Sequence, residues 1–316
     1  MNEQALQERL TSYLELRKAL GSSAGKDANV LADFVKFAAS ADETSPVTSR
    51  TVFDWLESTQ GQRGGGAVAR RLSAVRQFLL HLSATDPETQ VPELRLIAGY
   101  KRRTPFVFTP EEVEALLRCA AEFEAGKFTS VVLYTILGLI AATGLRASEA
   151  LGLDRSDVMP RNSPNTLLIR EAKFHKTRLV PLHPSTAEQI RLYAGRRALR
   201  GYDQHTVAFF VAVRHGRLSY ETLRTCFQVI LARAGIRARD GCNPPTLHSL
   251  RHTFVVSRLR RWHDEGVEVQ SRLAHLATYL GHVEPSDTYW YMTATPELLS
   301  AAAPGFLAPA STGGDQ

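Results

Sequence analysis

Three short stretches in the C-terminal two-thirds of the chain carry charged or titratable groups that their apolar surroundings do not invite. In AATGLRASEALGL, Arg146 follows the turn Thr143-Gly144 and Glu149 lies three residues on, so the two can share a helical face. In TLHSLRHTFVVSRL, with Thr246 as cap, His248 and Arg251 are i, i+3 neighbours in a helix's first turn. The helix dipole and free backbone N–H groups favour an anion there. One guanidinium and one imidazole converging on a point suit a phosphate, the first neutralising charge and the second donating a hydrogen bond. His252 is expected to face elsewhere on that helix and to be structural.

The third stretch, TYLGHVEPSDTYWYM, places His282 after Gly281 and nine residues before Tyr291. Tyr289, Trp290 and Tyr291 stand together, and a tyrosine hydroxyl with a pKa of about 10 is a poor nucleophile unless something activates it. Locally, either tyrosine could be that nucleophile, or both could be packing. There is no HExxH, no His/Cys/Asp cluster at metal-ligand spacing, no GxSxG and no pair of acids marked as general acid and base. The surplus is of cations and hydrogen-bond donors. It points to an anionic transition state stabilised without metal.

Elements of two kinds must position these groups. The first hundred residues read as helical: LQERLTSYLELRKAL, DANVLADFVKFAAS, TSRTVFDWLES and AVARRLSAVRQFLLHLSA carry apolar residues at three- and four-residue spacing or capping signals. GQRGGG separates the last two as a turn; it lacks the GK[ST] ending of a phosphate loop. In the fourth helix Arg70, Arg71 and Arg76 interrupt Val68, Leu72, Val75 and Leu79, as a solvated face or as phosphate contacts. A proline-punctuated stretch with the basic run Lys101-Arg102-Arg103 then reads as an interdomain linker suited to tracking a DNA backbone. It ends at a helix announced by Thr109 as N-cap, Pro110, Glu111 and Glu112. Beyond it come a buried helix in TSVVLYTILGLIAATG and a strand, polar turn and strand in NTLLIREAKFHKTRLVPLH. Further helices come in STAEQIRLYAGRRAL and SYETLRTCFQVILARAGI. The expected class is mainly α with a small β-sheet in the C-terminal domain.

Composition sets the outer bounds. A chain of 316 residues, 44% apolar, can bury two cores. No run of about 18 apolar residues suggests a membrane span, and MNEQALQERLTSYLEL holds no apolar signal core. Cys119, Cys226 and Cys242 stand apart, as suits a reducing cytoplasm. A net charge of +6 is compatible with a polyanionic partner without requiring one.

Taken in order, GLRASE, a hairpin lysine, HSLRH, LGH and a tyrosine nine residues later resemble the tyrosine recombinase (phage integrase) family. The resemblance covers roughly residues 109–300 by motif and 1–100 more loosely as a four-helix DNA-clamping domain. It implies a two-domain, C-shaped DNA clamp: a helical core-binding domain over 1–95, a basic linker over 96–108, a catalytic domain over 109–303 and a flexible tail over 304–316. By that resemblance Arg146 and Arg251 grip the scissile phosphate, with Glu149 supporting the first. His248 and His282 hydrogen-bond nonbridging oxygens or assist proton movement. Tyr291, with Thr288 three residues before it, is the nucleophile that forms a 3′-phosphotyrosyl link. Lys173 takes the general acid's position in the hairpin turn and Lys176 that of an accessory basic residue, although Ala172, Phe174 and His175 replace the glycines usual around that lysine.

The resemblance further implies double-stranded DNA with specific recombination sites as partner, and self-association into a tetramer on paired sites. It implies no metal, no ATP and no other cofactor, a cytoplasmic, nucleoid-associated setting, and partner recombinases if the chain serves a transposon that uses several. Other functions of the same fold are a type IB topoisomerase-like nicking-closing enzyme and a catalytically silent, accessory DNA-binding protein.

Overall fold

A computed structural model of the chain describes residues 3–20, 25–41, 46–59, 65–93, 104–159, 165–172, 176–212 and 216–281. The chain separates into two compact units, Met1–Arg102 and Arg103–Gln316.

The first unit is built from α1 (Glu3–Ala19), α2 (Gly25–Ala41), α3 (Ser49–Ser58) and α4 (Gly65–Ser83). The Thr48 hydroxyl accepts from the Thr51 N–H and starts α3. Apolar residues at helical spacing turn inward, so that Leu10, Phe34, Val52, Trp55, Val75 and Phe78 make one core. Phe34 meets the edge of Trp55 with ring centroids 5.2 Å apart.

The arginines of α4 divide here. Arg70 is exposed, and Arg76 is half-buried with its Nε donating to the Pro92 carbonyl at 3.0 Å. Arg71, grouped with them as a phosphate contact, is 4% exposed. Its guanidinium lies over the Trp55 ring and donates to Asp33 at 2.6 Å, while Trp55 Nε1 donates to the same carboxylate. Arg71 therefore belongs to the core of its unit. The helical period that carries Arg70 outward carries its neighbour in.

The second unit opens with residues 104–108, where Phe106 and Phe108 are buried in its core and the Phe108 N–H donates to the Thr253 hydroxyl at 2.9 Å. Helix α5 (Pro110–Ala121) begins at Thr109 with a full capping box: Glu112 N–H to the Thr109 hydroxyl, and Thr109 N–H to the Glu112 carboxylate. Next come α6 (Phe128–Thr143), the apolar centre of the unit, and the short α7 (Ala147–Gly152). Strands β1 (Thr166–Ala172) and β2 (Lys176–Pro181) form an antiparallel pair with Ile169 opposite Arg178 and Leu167 opposite Val180. The register shifts between Ile169 and Ala172. Helices α8 (Pro184–Leu199), α9 (Tyr220–Arg233), α10 (Leu247–Asp264) and α11 (Val269–Leu280) complete the described fold. The protein is thus mainly helical with one small two-stranded sheet.

Buried cations recur as structural anchors. Arg197, on α8, is 1% exposed and donates to the carbonyls of Thr206, Ala208 and Phe209 while pairing with Asp203. It gathers the loop after α8 back onto that helix. Among the described residues no helix is long and apolar enough to cross a membrane, and no group of three His, Cys, Asp or Glu could hold a metal ion.

Two helices end on glycines in the left-handed region: α6 on Gly144 (φ 65°) and α11 on Gly281 (φ 68°). At Gly144 a Cβ would fall 2.4 Å from the Phe254 ring, whereas at Gly126, also left-handed, it would meet nothing within 4 Å. Gly144→Ala should therefore lose roughly 1–3 kcal/mol in denaturant unfolding beyond the loss for Gly126→Ala. Equal losses in the two variants would show that Phe254 gives way without cost.

Candidate active site

Arg146 sits at the N-cap of α7, two residues after the glycine that closes α6. Its backbone N–H donates to Glu149 Oε2 at 3.0 Å and its Nη1 to Glu149 Oε1 at 2.8 Å, so one carboxylate holds both the backbone and the side chain. Its Nη2 reaches the Gly281 carbonyl at 3.3 Å, and its side chain keeps 24% of its surface exposed. The pairing expected from the GLRASE spacing is present, and the tie to the end of α11 is added by the fold.

Arg251, on the first turns of α10, is 1% exposed. Its Nη1 donates to the Gly144 carbonyl at 2.8 Å and its Nη2 to the Leu280 carbonyl at 2.9 Å. Both acceptors lie at helix C-termini, where carbonyls lack partners within the helix and the dipole is negative. The two arginines thus meet around the same pair of helix ends, those of α6 and α11.

Thr246 caps α10, its N–H donating to the Ser249 hydroxyl at 3.0 Å. That cap sets His248 and Arg251 on the first turn, as their spacing predicts. His248 has its pKa pushed down to about 4, first by the packed atoms around it and then by the charges of Arg251 and Arg146. The residue is nonetheless solvent-exposed, so water moderates the effect while its direction stands. His252 does not face elsewhere: its ring meets that of His248 edge-on with centroids 4.5 Å apart, because residues four apart share a helical face.

One charged residue of the cluster was not singled out from sequence. Arg178, on β2, donates from Nη1 and Nη2 to the two oxygens of Glu149 at 3.0 and 2.9 Å, and from Nε to the Tyr279 carbonyl at 2.9 Å. Burial raises the pKa of Glu149, but the hydrogen bonds and charge of Arg178 outweigh it, helped by the Arg146 N–H and charge, and hold the carboxyl below its ordinary value. In RLVPL both Leu179 and Val180 are apolar, so alternation alone leaves the inward face open. The register with β1 decides: Val180 is buried, Leu179 is half-exposed, and Arg178 shares the side of Val180.

Lys176 begins β2, opposite Ala172. Lys101, Arg102, Arg103, Lys173, His282, Tyr289 and Tyr291 lie outside the described residues. Of the proposed catalytic set, the structure therefore brings together Arg146, His248 and Arg251, with Glu149 beneath the first of them.

The cluster thus sets two arginines on helix ends beside an imidazole whose pKa is pushed down. The sequence profile of the phage integrase family matches residues 107–297. The chain is 34% identical over 300 residues to a putative integrase/recombinase, y4rE, of Sinorhizobium fredii, covering 94% of each chain. It is 32% identical over 237 residues to the tyrosine recombinase XerD of Rhizobium meliloti, covering 73% of this chain and 71% of that one. In fold it is similar to the XerH site-specific recombinase bound to palindromic difH substrate in a post-cleavage complex, with a TM-score of 0.70 at 20% identity over 97% of this chain and 85% of that one. It also resembles lambda integrase (75-356) in a dimer bound to a COC′ core site, with a TM-score of 0.62 at 16% identity over 88% and 95% of the two chains. An arginine pocket built on the helix ends of this fold, inside a stretch matched by the family's own profile, makes the chain a member of the phage integrase family of tyrosine recombinases.

Proposed function

We propose that the protein is a site-specific DNA recombinase that cleaves and rejoins strands through a 3′-phosphotyrosyl intermediate. The observation that carries this reading is the pair Arg146 and Arg251, held on the ends of α6 and α11 close enough to His248 for their charges to lower its pKa. A guanidinium already anchored by protein carbonyls spends little further entropy on gripping a phosphate oxygen.

In this reading the Tyr291 oxygen attacks the scissile phosphorus and the phosphorus–O5′ bond breaks. The phenolic proton leaves to a neutral imidazole, a state that suits His248 as the pocket holds it. His282 hydrogen-bonds a nonbridging oxygen, and Lys173 protonates the departing 5′-oxygen. A 5′-hydroxyl of a second strand then reverses the step, so the bond energy is kept in the phosphotyrosine and neither metal nor ATP enters. The cationic pocket answers how a tyrosine of ordinary pKa can act, since positive charge favours its phenolate and the charge building on the phosphorane-like transition state.

Double-stranded DNA with specific sites is the substrate. Residues 1–95 and the basic segment 101–103 supply contacts to the backbone, with Arg70 and Arg76 as the candidates of α4 and Lys176 as that of the hairpin. A tetramer on two paired sites, with partner recombinases where the element encodes them, performs the exchange, and residues 109–303 form the catalytic domain. The solved complexes of its structural relatives support DNA as the partner: XerH is bound to its difH substrate, and a lambda integrase tetramer to a Holliday junction.

The direct test is covalent trapping. Incubated with a pool of nicked suicide duplexes taken from the DNA flanking its own gene, the parent protein should give a DNA-shifted band on a denaturing gel. Tyr289→Phe should keep that band and Tyr291→Phe should lose it. Loss in Tyr289→Phe alone would move the nucleophile, and a parent without any band would remove the catalytic reading. Binding should weaken steeply as salt rises, because phosphate contacts release counterions.

The imidazole supplies a pH test. His248 is held neutral in the free pocket, with its pKa at about 4, and a phosphate seated between Arg146 and Arg251 adds a negative charge that raises it. As pH falls to the raised value, the complex takes up a proton that the free protein does not. DNA affinity should rise as pH falls toward that value, and His248→Gln should flatten this part of the profile. Parallel profiles for the parent and the variant would exclude His248 as the linked group.

A further inference from the structure

Glu149 is gripped twice. Arg146 takes it from α7, and Arg178 takes both of its oxygens from β2 in a bidentate fork at 3.0 and 2.9 Å. The fork is largely withdrawn from water, with the two side chains 13% and 6% exposed. The third donor of Arg178, Nε, is used on the Tyr279 carbonyl in the last turn of α11. The same guanidinium lies against Gly281, where an added Cβ would come 2.8 Å from Nη1. One side chain thus joins three elements: the hairpin strand, the helix that starts at Arg146, and the end of α11.

The joined elements border two residues of the proposed reaction. Arg178 lies five residues after Lys173, and Gly281 immediately before His282. Arg146 itself reaches the Gly281 carbonyl, so the carboxylate, both arginines and the helix end form a closed ring of contacts. We propose that Arg178 is a positioning residue for the reaction: through Glu149 and the Tyr279 carbonyl it holds strand β2 and the end of α11 in fixed relation to Arg146. This rests on the recombinase reading for what is being positioned. The ring of contacts does not rest on it.

The chemistry also says why arginine is needed. A lysine would keep the charge, but it is a single point donor group and cannot present a planar fork to two carboxylate oxygens while a third N–H holds a carbonyl. Arg178 makes its contacts within the protein, so its loss should act on geometry and leave phosphate grip to Arg146 and Arg251. That separates positioning from binding. Gly281→Ala offers a second disturbance, since it crowds the guanidinium without removing it and also strains the left-handed backbone at the end of α11.

The experiment compares the parent, Arg178→Lys and Gly281→Ala as full chains. Amide hydrogen exchange is followed without DNA. Single-turnover adduct formation and equilibrium binding are followed on the same pool of nicked suicide duplexes. Both variants should exchange faster at residues 278–281 with α6 unchanged. Both should also form adduct roughly 10- to 100-fold more slowly while DNA affinity stays within about twofold. A scissile 5′-bridging phosphorothiolate, whose thiolate leaves without protonation, should restore part of the lost rate if the strand leaving Lys173 is what has moved. Unchanged exchange at 278–281, an unchanged rate, or losses of rate and affinity in equal measure would overturn the proposal. A parent that forms no adduct but shows the expected exchange difference would instead overturn the recombinase reading and leave the ring of contacts standing.

Discussion

A guanidinium at 1% exposure must have its charge met by the protein itself, and Arg251 meets it with carbonyls at the ends of two helices, Gly144 of α6 and Leu280 of α11. Those carbonyls have no partner inside their helices, and each sits at the negative end of a dipole. The contact therefore satisfies both sides: the helix ends lose their orphan acceptors, and the buried guanidinium gains two. Both helices must stop where they do for this to work. The left-handed glycines, Gly144 and Gly281, stop them.

From that junction the rest of the pocket is placed by short steps. Gly144 leads within two residues to Arg146, whose own N–H and guanidinium are both held by Glu149. The α10 cap at Thr246 sets His248 one turn from Arg251, close enough for the two arginine charges to disfavour its protonation. Glu149 is the counterweight: burial raises its pKa, and Arg178 and Arg146 hold it below its ordinary value. Tyr279, beside the junction, has its hydroxyl pKa pushed up to about 12, chiefly by burial. A phenol held protonated in this way is suited to packing and not to attack.

The first unit shows the same physics put to a structural end. Arg71 and Trp55 share Asp33, and the ring covers the guanidinium, so a charged side chain is consumed in joining α2, α3 and α4. Its neighbour Arg70, one residue away, stays in solvent. Arg197 does comparable work in the second unit by collecting the carbonyls of a loop. Arginine in this protein is thus found both at the site and in the scaffold, and residue type alone does not distinguish the two.

By itself the sequence determined most of the helices, though not α11, because caps and three- and four-residue periodicity are local: Thr48, Thr109 and Thr246 all start helices where their side chains predict it. It also determined the strand pair and the Arg146–Glu149 and His248–Arg251 neighbours, whose separations of three residues place them together once a helix forms. Only the tertiary structure decided what each charge is for. Arg71 turned inward because its phase on α4 meets Asp33 and Trp55, residues distant in the chain. His252 joined His248 although it was expected to face away. Arg178 became part of the site through the register of β2 on β1 and the arrival of α11, 101 residues later, at its Nε. Local sequence records the tendency of a segment to form an element. The partner of a buried charge is chosen by long-range packing, since only the folded chain brings the matching acceptor within hydrogen-bonding distance.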